Sequence, residues 1–124
     1  MSRDFIRYGS KGAKKWRDDE IRSRGGQICE LCNRRVVTLT IDHDHHTGLV
    51  RGFICHPCNL GIGYFKDNFA VMRRAVEYLE RAHQRSLDWH KSQPWIDENE
   101  EIPFWVKRRS EIISREEADR EFWD

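Results

Sequence analysis

The chain has 124 residues, enough for one domain or for one compact module with an extension, and too few for a second large core. Hydrophobic residues make up 38% of it and charged residues 35%, and no stretch approaches the roughly 20 apolar residues of a membrane span. The net charge of +1 hides an asymmetry, because residues 1–66 hold 12 Lys and Arg against 7 Asp and Glu, whereas residues 67–124 hold 10 against 14. The basic front half suits a polyanionic partner.

The front half is predicted to contain a helix followed by a β-hairpin. Residues Lys14 to Arg24 alternate charged and apolar side chains and are closed by Gly25, which predicts a short helix. The β-branched run Val36 to Ile41 and the apolar run Leu49 to Ile54 predict two strands. The polar segment between them, Asp42 to Gly48, would form a long hairpin tip.

The second half is predicted to be mainly helical. Gly61 and Gly63 after Asn59 favour a short helical segment. Apolar side chains then recur at helical spacing from Phe69 to His90, which predicts a long amphipathic helix capped by Asp67 or Asn68. Pro94 ends this helix, and 97–101 is an acidic connector; a capping box at 114–117 predicts a last short helix that runs to residue 123.

Four cysteines form two close pairs, Cys29-x-x-Cys32 and Cys55-x-x-Cys58, separated by 22 residues. We expect a reducing, cytoplasmic location, where such pairs are metal thiolates rather than disulfides. Four sulfurs leave no open coordination position, so the pattern predicts one structural zinc ion per chain. The alternative is a set of buried or redox-active thiols, and His56 is the only substitute ligand.

The hairpin tip, Asp42-His43-Asp44-His45-His46, is dense in imidazoles and carboxylates. If Asp42 ends a strand, its carboxylate can face a hard cation while the neighbouring His43 deprotonates a water molecule on the opposite side of a bound phosphate. The amide oxygen of Asn59, just after the second cysteine pair, can complete that metal site. The alternatives are a solvated polar turn or a second zinc site.

These motifs, with Thr47-Gly48-x-Val50-Arg51-Gly52 between them and Gly61, Gly63 and Phe65 after Asn59, resemble the phage recombination endonuclease VII family. The match covers residues 25–67 and extends through the long helix to about residue 90. The resemblance implies a small, zinc-stapled α+β nuclease of the HNH, or ββα-metal (His-Me finger), type. One position departs from the junction-cleaving prototype, because Ile62 stands where an acidic residue follows the asparagine.

The resemblance also implies the roles of the site residues. Asp42 and Asn59 would hold a catalytic Mg²⁺ or Mn²⁺ ion, His43 would be the general base, and His45 would assist at the phosphate, leaving DNA ends with a 5′ phosphate and a 3′ hydroxyl. Arg51, on the second strand beside the tip, is our candidate for binding the phosphate; its alternative is a solvated strand arginine.

We therefore expect residues 1–66 to form the zinc-bound nuclease core with its N-terminal helix. Residues 67–92 would form the long helix, for packing or dimerisation, and residues 93–124 the acidic connector and a helical tail. The expected substrate is duplex or branched DNA, cut as by a junction resolvase or a nicking enzyme, in the host cytoplasm if the gene is phage-encoded.

Other readings of the sequence stay open. The chain could be a catalytically silent zinc module that binds DNA or a protein through its basic front half. It could instead be an adaptor whose tail, with Trp95, Trp105 and Trp123, docks a phage or host protein. The long helix could form a homodimer seam or pack onto its own hairpin.

Overall fold

The structure is a computed structural model that describes residues 3–97 and 104–112. The described chain forms two compact units, residues 3–63 and residues 64–97 with 104–112. The elements in order are a short 3-10 turn Arg3–Phe5, α1 Lys11–Arg24, β1 Thr40–His43, β2 Val50–Ile54, α2 His56–Tyr64, α3 Phe69–Lys91 and α4 Phe104–Ser110. The predicted α+β fold, with a hairpin, a short helix and a long amphipathic helix, is confirmed.

Helix α1 begins three residues earlier than its sequence pattern predicts. The hydroxyl of Ser10 accepts the N–H of Ala13 at 3.1 Å, which satisfies one of the donors that the first turn leaves open. At the other end Gly25 adopts a φ of +74°, as the predicted glycine cap requires. The helix packs through the buried Ala13 and through Trp16, whose ring meets the edge of Phe53 at 5.1 Å between centroids.

Strands β1 and β2 form an antiparallel hairpin in which Thr40 lies opposite Ile54. The prediction of a first strand is wrong for residues 36–39, because the side chain of Gln27 forms hydrogen bonds with their backbone groups. Its amide donates to the carbonyl of Val37 at 2.6 Å and accepts the N–H of Leu39 at 3.0 Å. The segment is therefore held as a loop, and Val37 is 91% exposed despite its β-branched side chain.

The hairpin contains a β-bulge at the end of β1. Asp42 lies opposite Gly52, but His43 lies opposite Val50, so Arg51 is an extra residue on β2. A bulge of this kind bends the strand and redirects the side chain of the extra residue. The register changes between Asp42 and His43, where the sequence pattern predicts the end of the first strand.

The first unit has one hydrophobic core, which joins the hairpin, α1 and both cysteine pairs. Phe53 is fully buried at its centre, a burial that contributes about 1.5–3 kcal/mol to stability. The chain before α1 also contributes, since the N–H of Val50 donates to the carbonyl of Ile6 at 2.8 Å and lays residues 6–8 along the start of β2. The buried cluster comprises Ile6, Ala13, Cys29, Leu39, Val50, Phe53, Ile54 and Cys55.

The second unit contains α3 and α4. Asn68 caps α3 by accepting the N–H of Val71 at 3.0 Å, and the helix ends at Lys91, three residues before Pro94. Helix α4 was not predicted. The predicted terminal helix and all of the acidic connector except Asp97 lie outside the described residues. Among the helices that the structure describes, none is both long and apolar enough to cross a bilayer.

Candidate metal centre and active site

The two cysteine pairs meet in the first unit, as their spacing predicts. One ligand atom from each of Cys29, Cys32, Cys55 and Cys58 lies within 4.8 Å of the others. A tetrahedral site with metal–sulfur bonds of about 2.3 Å has sulfur–sulfur edges of about 3.8 Å. The Sγ atoms of Cys32 and Cys55 are 3.8 Å apart, so the cluster has the size of a four-thiolate metal site.

The surroundings of the thiols differ. Burial raises the pKa of Cys32 to about 11 and also raises the pKa of Cys58. Burial acts in the same direction on Cys29, but backbone N–H groups of Cys32, Cys55 and Leu31 hold its pKa at about 7. Two of these groups donate to its Sγ atom at 3.2 and 3.4 Å. The first pair therefore favours a thiolate at Cys29, as metal binding requires.

Asp42 is the only buried charged residue in the described part of the chain, and it is 7% exposed. Arg51 binds it with both arms of the guanidinium: Nε donates to Oδ2 at 2.6 Å and Nη2 to Oδ1 at 2.9 Å. The bulge makes this geometry possible, because it turns the extra residue toward the face on which Asp42 lies. A bidentate arginine neutralises the carboxylate and fixes its plane.

A cavity of about 220 Å³ opens beside this ion pair. Asp42, Arg51, Glu30 and Ile62 are among the residues that line it. Burial raises the pKa of Glu30, and the charge of Asp42 acts in the same direction. A Cβ atom at Gly52 would overlap the Glu30 carboxyl group, so the glycine allows this carboxyl group to approach the strand. Two carboxylates and one guanidinium therefore share the cavity.

His43 contacts two other rings. The ring of Tyr8 stacks on it with 4.2 Å between centroids and 21° between planes, and His45 meets it edge-on at 5.0 Å. Tyr8 is held there because its N–H donates to the carbonyl of Gly48 at 2.8 Å. The imidazole is half-buried, so its orientation is restricted while part of the ring stays accessible.

The tip turn is organised by Asp44. Its Oδ1 atom accepts the N–H of Thr47 at 3.0 Å and the N–H of His46 at 2.7 Å, and these two bonds lower its pKa. Gly48 completes the turn with a φ of +75°, which favours glycine. Of the five polar residues of the tip, Asp44 therefore has a structural role, and His46 is exposed.

Asn59 lies on α2, immediately after the second cysteine pair. Its N–H donates to the carbonyl of Cys55 at 3.0 Å, so the helix grows directly out of the pair. Ile62, one turn further along the helix, lines the cavity beside Asp42. Residues three apart share a helix face, which puts Asn59 on the face of α2 that carries Ile62.

Sequence reasoning did not identify two residues of this region. Tyr8 is 35 positions before the histidine it covers, and no local pattern links them. Glu30 lies inside the first cysteine pair, where an acidic residue could have been recognised as a neighbour of the metal centre.

Comparison with known proteins identifies relatives that match slightly less than two thirds of the chain. The Gene 59 protein of Mycobacterium phage L5 is 37% identical over 79 residues, which are 63% of this chain and 48% of the relative. The Gene 59 protein of Mycobacterium phage D29 is 35% identical over 81 residues, which are 64% of this chain and 49% of the relative. The chain thus spans about half the length of the curated relatives it matches.

Among solved structures, the crystal structure of the beta-beta-alpha-Me type II restriction endonuclease Hpy99I is similar at 36% identity and a TM-score of 0.46. The match covers 64% of this chain and 45% of that one. The family model of recombination endonuclease VII matches residues 2–81. Since this match extends over well more than half of the chain, the protein belongs to the recombination endonuclease VII family.

Proposed function

We propose that the chain is an HNH-type endonuclease that hydrolyses phosphodiester bonds of DNA with the help of a divalent metal ion. The observation that carries the proposal is the end of β1, where two adjacent residues have different surroundings. Asp42 is buried, is bound by Arg51 and lines the cavity of about 220 Å³. The ring of His43, by contrast, stacks on Tyr8 and stays partly accessible. Metal binding and proton transfer need such a pair of neighbours.

Zinc is the ion we assign to the four cysteines, because a closed set of four thiolates suits a structural zinc site. The ion would cross-link the two ends of the hairpin region and so hold Asn59 and Glu30, which adjoin the cysteines. Without it, the small core of the first unit would have to hold these residues alone.

The hard oxygen donors of Asp42 and Asn59 suit Mg²⁺ or Mn²⁺. A carboxylate has about four lone-pair sites, so Asp42 can bind an ion while it accepts two hydrogen bonds from Arg51. When bound, the ion would neutralise charge on the scissile phosphate and on the departing 3′ oxygen. Glu30 would contribute further negative charge at this position.

His43 is the general base of the proposed reaction. In its neutral form it accepts a proton from the attacking water, and the stacked ring of Tyr8 keeps its plane fixed while it does so. His45, whose ring meets that of His43 edge-on, would assist at the phosphate. Tyr8 is thus a positioning residue, because its described contact is with the base.

Arg51 has two roles in this proposal. Without substrate it neutralises the buried Asp42, which would otherwise be an uncompensated charge. With DNA and a metal ion present, the guanidinium, whose side chain is 33% exposed, can turn toward the phosphate. The arginine would therefore exchange partners when the substrate binds.

The proposal extends to the organisation of the chain. Residues 1–66 are the nuclease core, 67–92 the long helix and 93–124 the tail. Helix α3 carries exposed apolar side chains, among them Val76 and Leu79, that could pack against a second copy of the helix in a homodimer. A two-fold dimer would fit a branched substrate, because such a substrate has two strands to cut. Trp95 is 69% exposed and would be available to a phage or host protein, whereas Trp123 lies outside the described residues.

The experiment that tests the proposal is cleavage of supercoiled plasmid and of a synthetic four-way junction with Mg²⁺ or Mn²⁺. His43→Ala should cut at least about 100-fold more slowly than the wild type, because it lacks the base. His46→Ala is the matched control, since His46 is an exposed histidine of the same tip, and it should cut close to the wild-type rate.

Zinc content and folding of each variant are measured alongside. Loss of cutting in a folded, zinc-loaded His43→Ala protein would support catalysis, and the preferred substrate would separate a resolvase from a nicking enzyme. If the wild type cuts neither substrate, or if His43→Ala cuts as fast as His46→Ala, the protein is better described as a zinc-bound binding module.

A further inference from the structure

The second unit contains a cavity of about 620 Å³ between α3 and α4 that the proposed reaction does not use. Helix α3 contributes Arg85, Trp89 and His90 to its wall, and α4 contributes Trp105 and Arg109. Ala82 and Ser86, which have small side chains, complete the lining. None of these lining residues is acidic, so the cavity combines positive charge with flat aromatic surface.

The two helices contribute the same pair of residues at the same spacing. Arg85 and Trp89 are four residues apart on α3, and Trp105 and Arg109 are four residues apart on α4. Residues four apart lie on one face of a helix, so each arginine is adjacent to a tryptophan of its own helix. Two cationic and two aromatic side chains therefore converge on one space.

The tryptophan ring that α4 contributes to the cavity is already engaged. The guanidinium of Arg109 lies over the ring of Trp105 at 4.8 Å from its centroid, and His83 and His90 meet that ring edge-on at 5.7 and 6.1 Å. Trp105 is thus held in place and holds the arginine in turn. Trp89, by contrast, is 62% exposed while it lines the same cavity.

This division of roles matches the chemistry of a nucleotide. Guanidinium groups bind phosphate oxygens with paired hydrogen bonds, and an exposed indole ring stacks on a base. A base can lie on Trp89 only if it is unpaired, because the bases of a duplex are stacked on each other. An acidic peptide would use the arginines but would leave the exposed indole without a planar partner.

We infer that this cavity binds a nucleotide of single-stranded DNA, with its base stacked on Trp89 and its phosphate bound by Arg85 and Arg109. The inference rests on the proposed function for the choice of DNA as the ligand. It adds a substrate class, namely DNA that carries an unpaired segment. Trp105 acts through Arg109, which it holds in position.

The test is binding of a fluorescently labelled oligothymidylate and of a blunt duplex with equal phosphate number, measured by anisotropy without added divalent metal. The full-length His43→Ala protein is the parent, so that nothing is cut. Trp89→Leu should weaken oligothymidylate binding roughly tenfold, because it removes one stacked base. Arg109→Gln should weaken it and lower the salt slope by about 0.7, the value for one phosphate contact on a single strand. Duplex binding should be unchanged in both.

Two matched controls exist in the same unit. Trp95→Leu removes a tryptophan of similar exposure, and Arg108→Gln removes the neighbouring arginine; neither residue lines the cavity. Both control variants should bind the oligothymidylate as tightly as the parent. The inference is overturned if Trp89→Leu and Arg109→Gln bind as the parent does, or if the controls weaken binding equally. It is also overturned if polyglutamate displaces the probe as well as unlabelled oligothymidylate does, since the site would then take an acidic peptide.

The outcome is separable from that of the nuclease proposal. Oligothymidylate binding without any plasmid cleavage would refute the nuclease and leave this inference standing. Plasmid cleavage, combined with oligothymidylate binding that neither cavity variant weakens, would refute this inference and leave the nuclease proposal standing.

Discussion

Replacing Arg51 by methionine would leave the Asp42 carboxylate buried without its partner. Hydrogen bonds to charged groups contribute about 1.5–3 kcal/mol, and removing one member of a fully buried ion pair costs about 3–5 kcal/mol. Here Asp42 is 7% exposed but Arg51 is accessible over a third of its side chain, so water can partly replace the guanidinium. We expect Arg51→Met to lower the free energy of unfolding by about 2 kcal/mol.

The double-mutant cycle isolates the ion pair. Asp42→Asn leaves Arg51 without a carboxylate, but the guanidinium can be hydrated, so we expect a loss of about 1 kcal/mol. The double variant has no uncompensated charge and should also lose about 1 kcal/mol, which gives a coupling energy of about 2 kcal/mol. Added Mg²⁺ should stabilise Arg51→Met and should not stabilise the double variant, because only the former retains the carboxylate.

The assay is urea unfolding of zinc-loaded protein, followed by the NMR amide signals of β1 and β2 so that the first unit is observed alone. A coupling energy below about 0.5 kcal/mol would refute the reasoning, since independent sites are additive within that margin. Equal stabilisation of both variants by Mg²⁺ would show that the ion binds elsewhere than at Asp42.

Three further changes test other parts of the first unit. Cys58→Ser should lose the zinc ion and the fold together, by mass spectrometry and circular dichroism, whereas His56→Ala keeps both. Tyr8→Leu should lower kcat roughly tenfold or more with little change in KM, and Tyr8→Phe should restore the rate, because stacking orients the base. Turn N–H groups lower the pKa of Asp44, so it stabilises the fold above its ordinary titration range and this contribution is lost as the pH falls through the lowered pKa. The stability difference between wild type and Asp44→Ala should therefore shrink as the pH falls below about 5, compared over the pH range in which both proteins keep their zinc ion.

Features with a strong local signal could be predicted from the sequence. The spacing of the cysteines brings Cys29 and Cys58 into one cluster, and the helical period of residues 69–90 gives α3 to within one residue. Gly25 closes α1 where its sequence position indicates. In these cases the information lies within one turn or one motif, so that distant contacts do not override it.

Features that depend on contacts between distant residues could not be predicted. The run 36–39 has strong strand propensity, yet Gln27 takes its backbone hydrogen bonds. The position of Arg51 beside the tip was identified, but its bidentate contact with Asp42 depends on a bulge that no residue pattern marks. Tyr8 reaches His43 only because the chain before α1 pairs with the hairpin.

That pairing affects how the core can be excised for study. A recombinant fragment trimmed to begin at Ser10, the N-cap of α1, would keep every motif of the family pattern and lose residues 6–8. The truncation would uncover the edge of β2 at Val50, which the carbonyl of Ile6 now caps, and unpaired strand edges recruit other chains. Aggregation of such a fragment, or an inactive soluble form, would then reflect the missing edge and the missing ring over His43 rather than a defect in the zinc cluster.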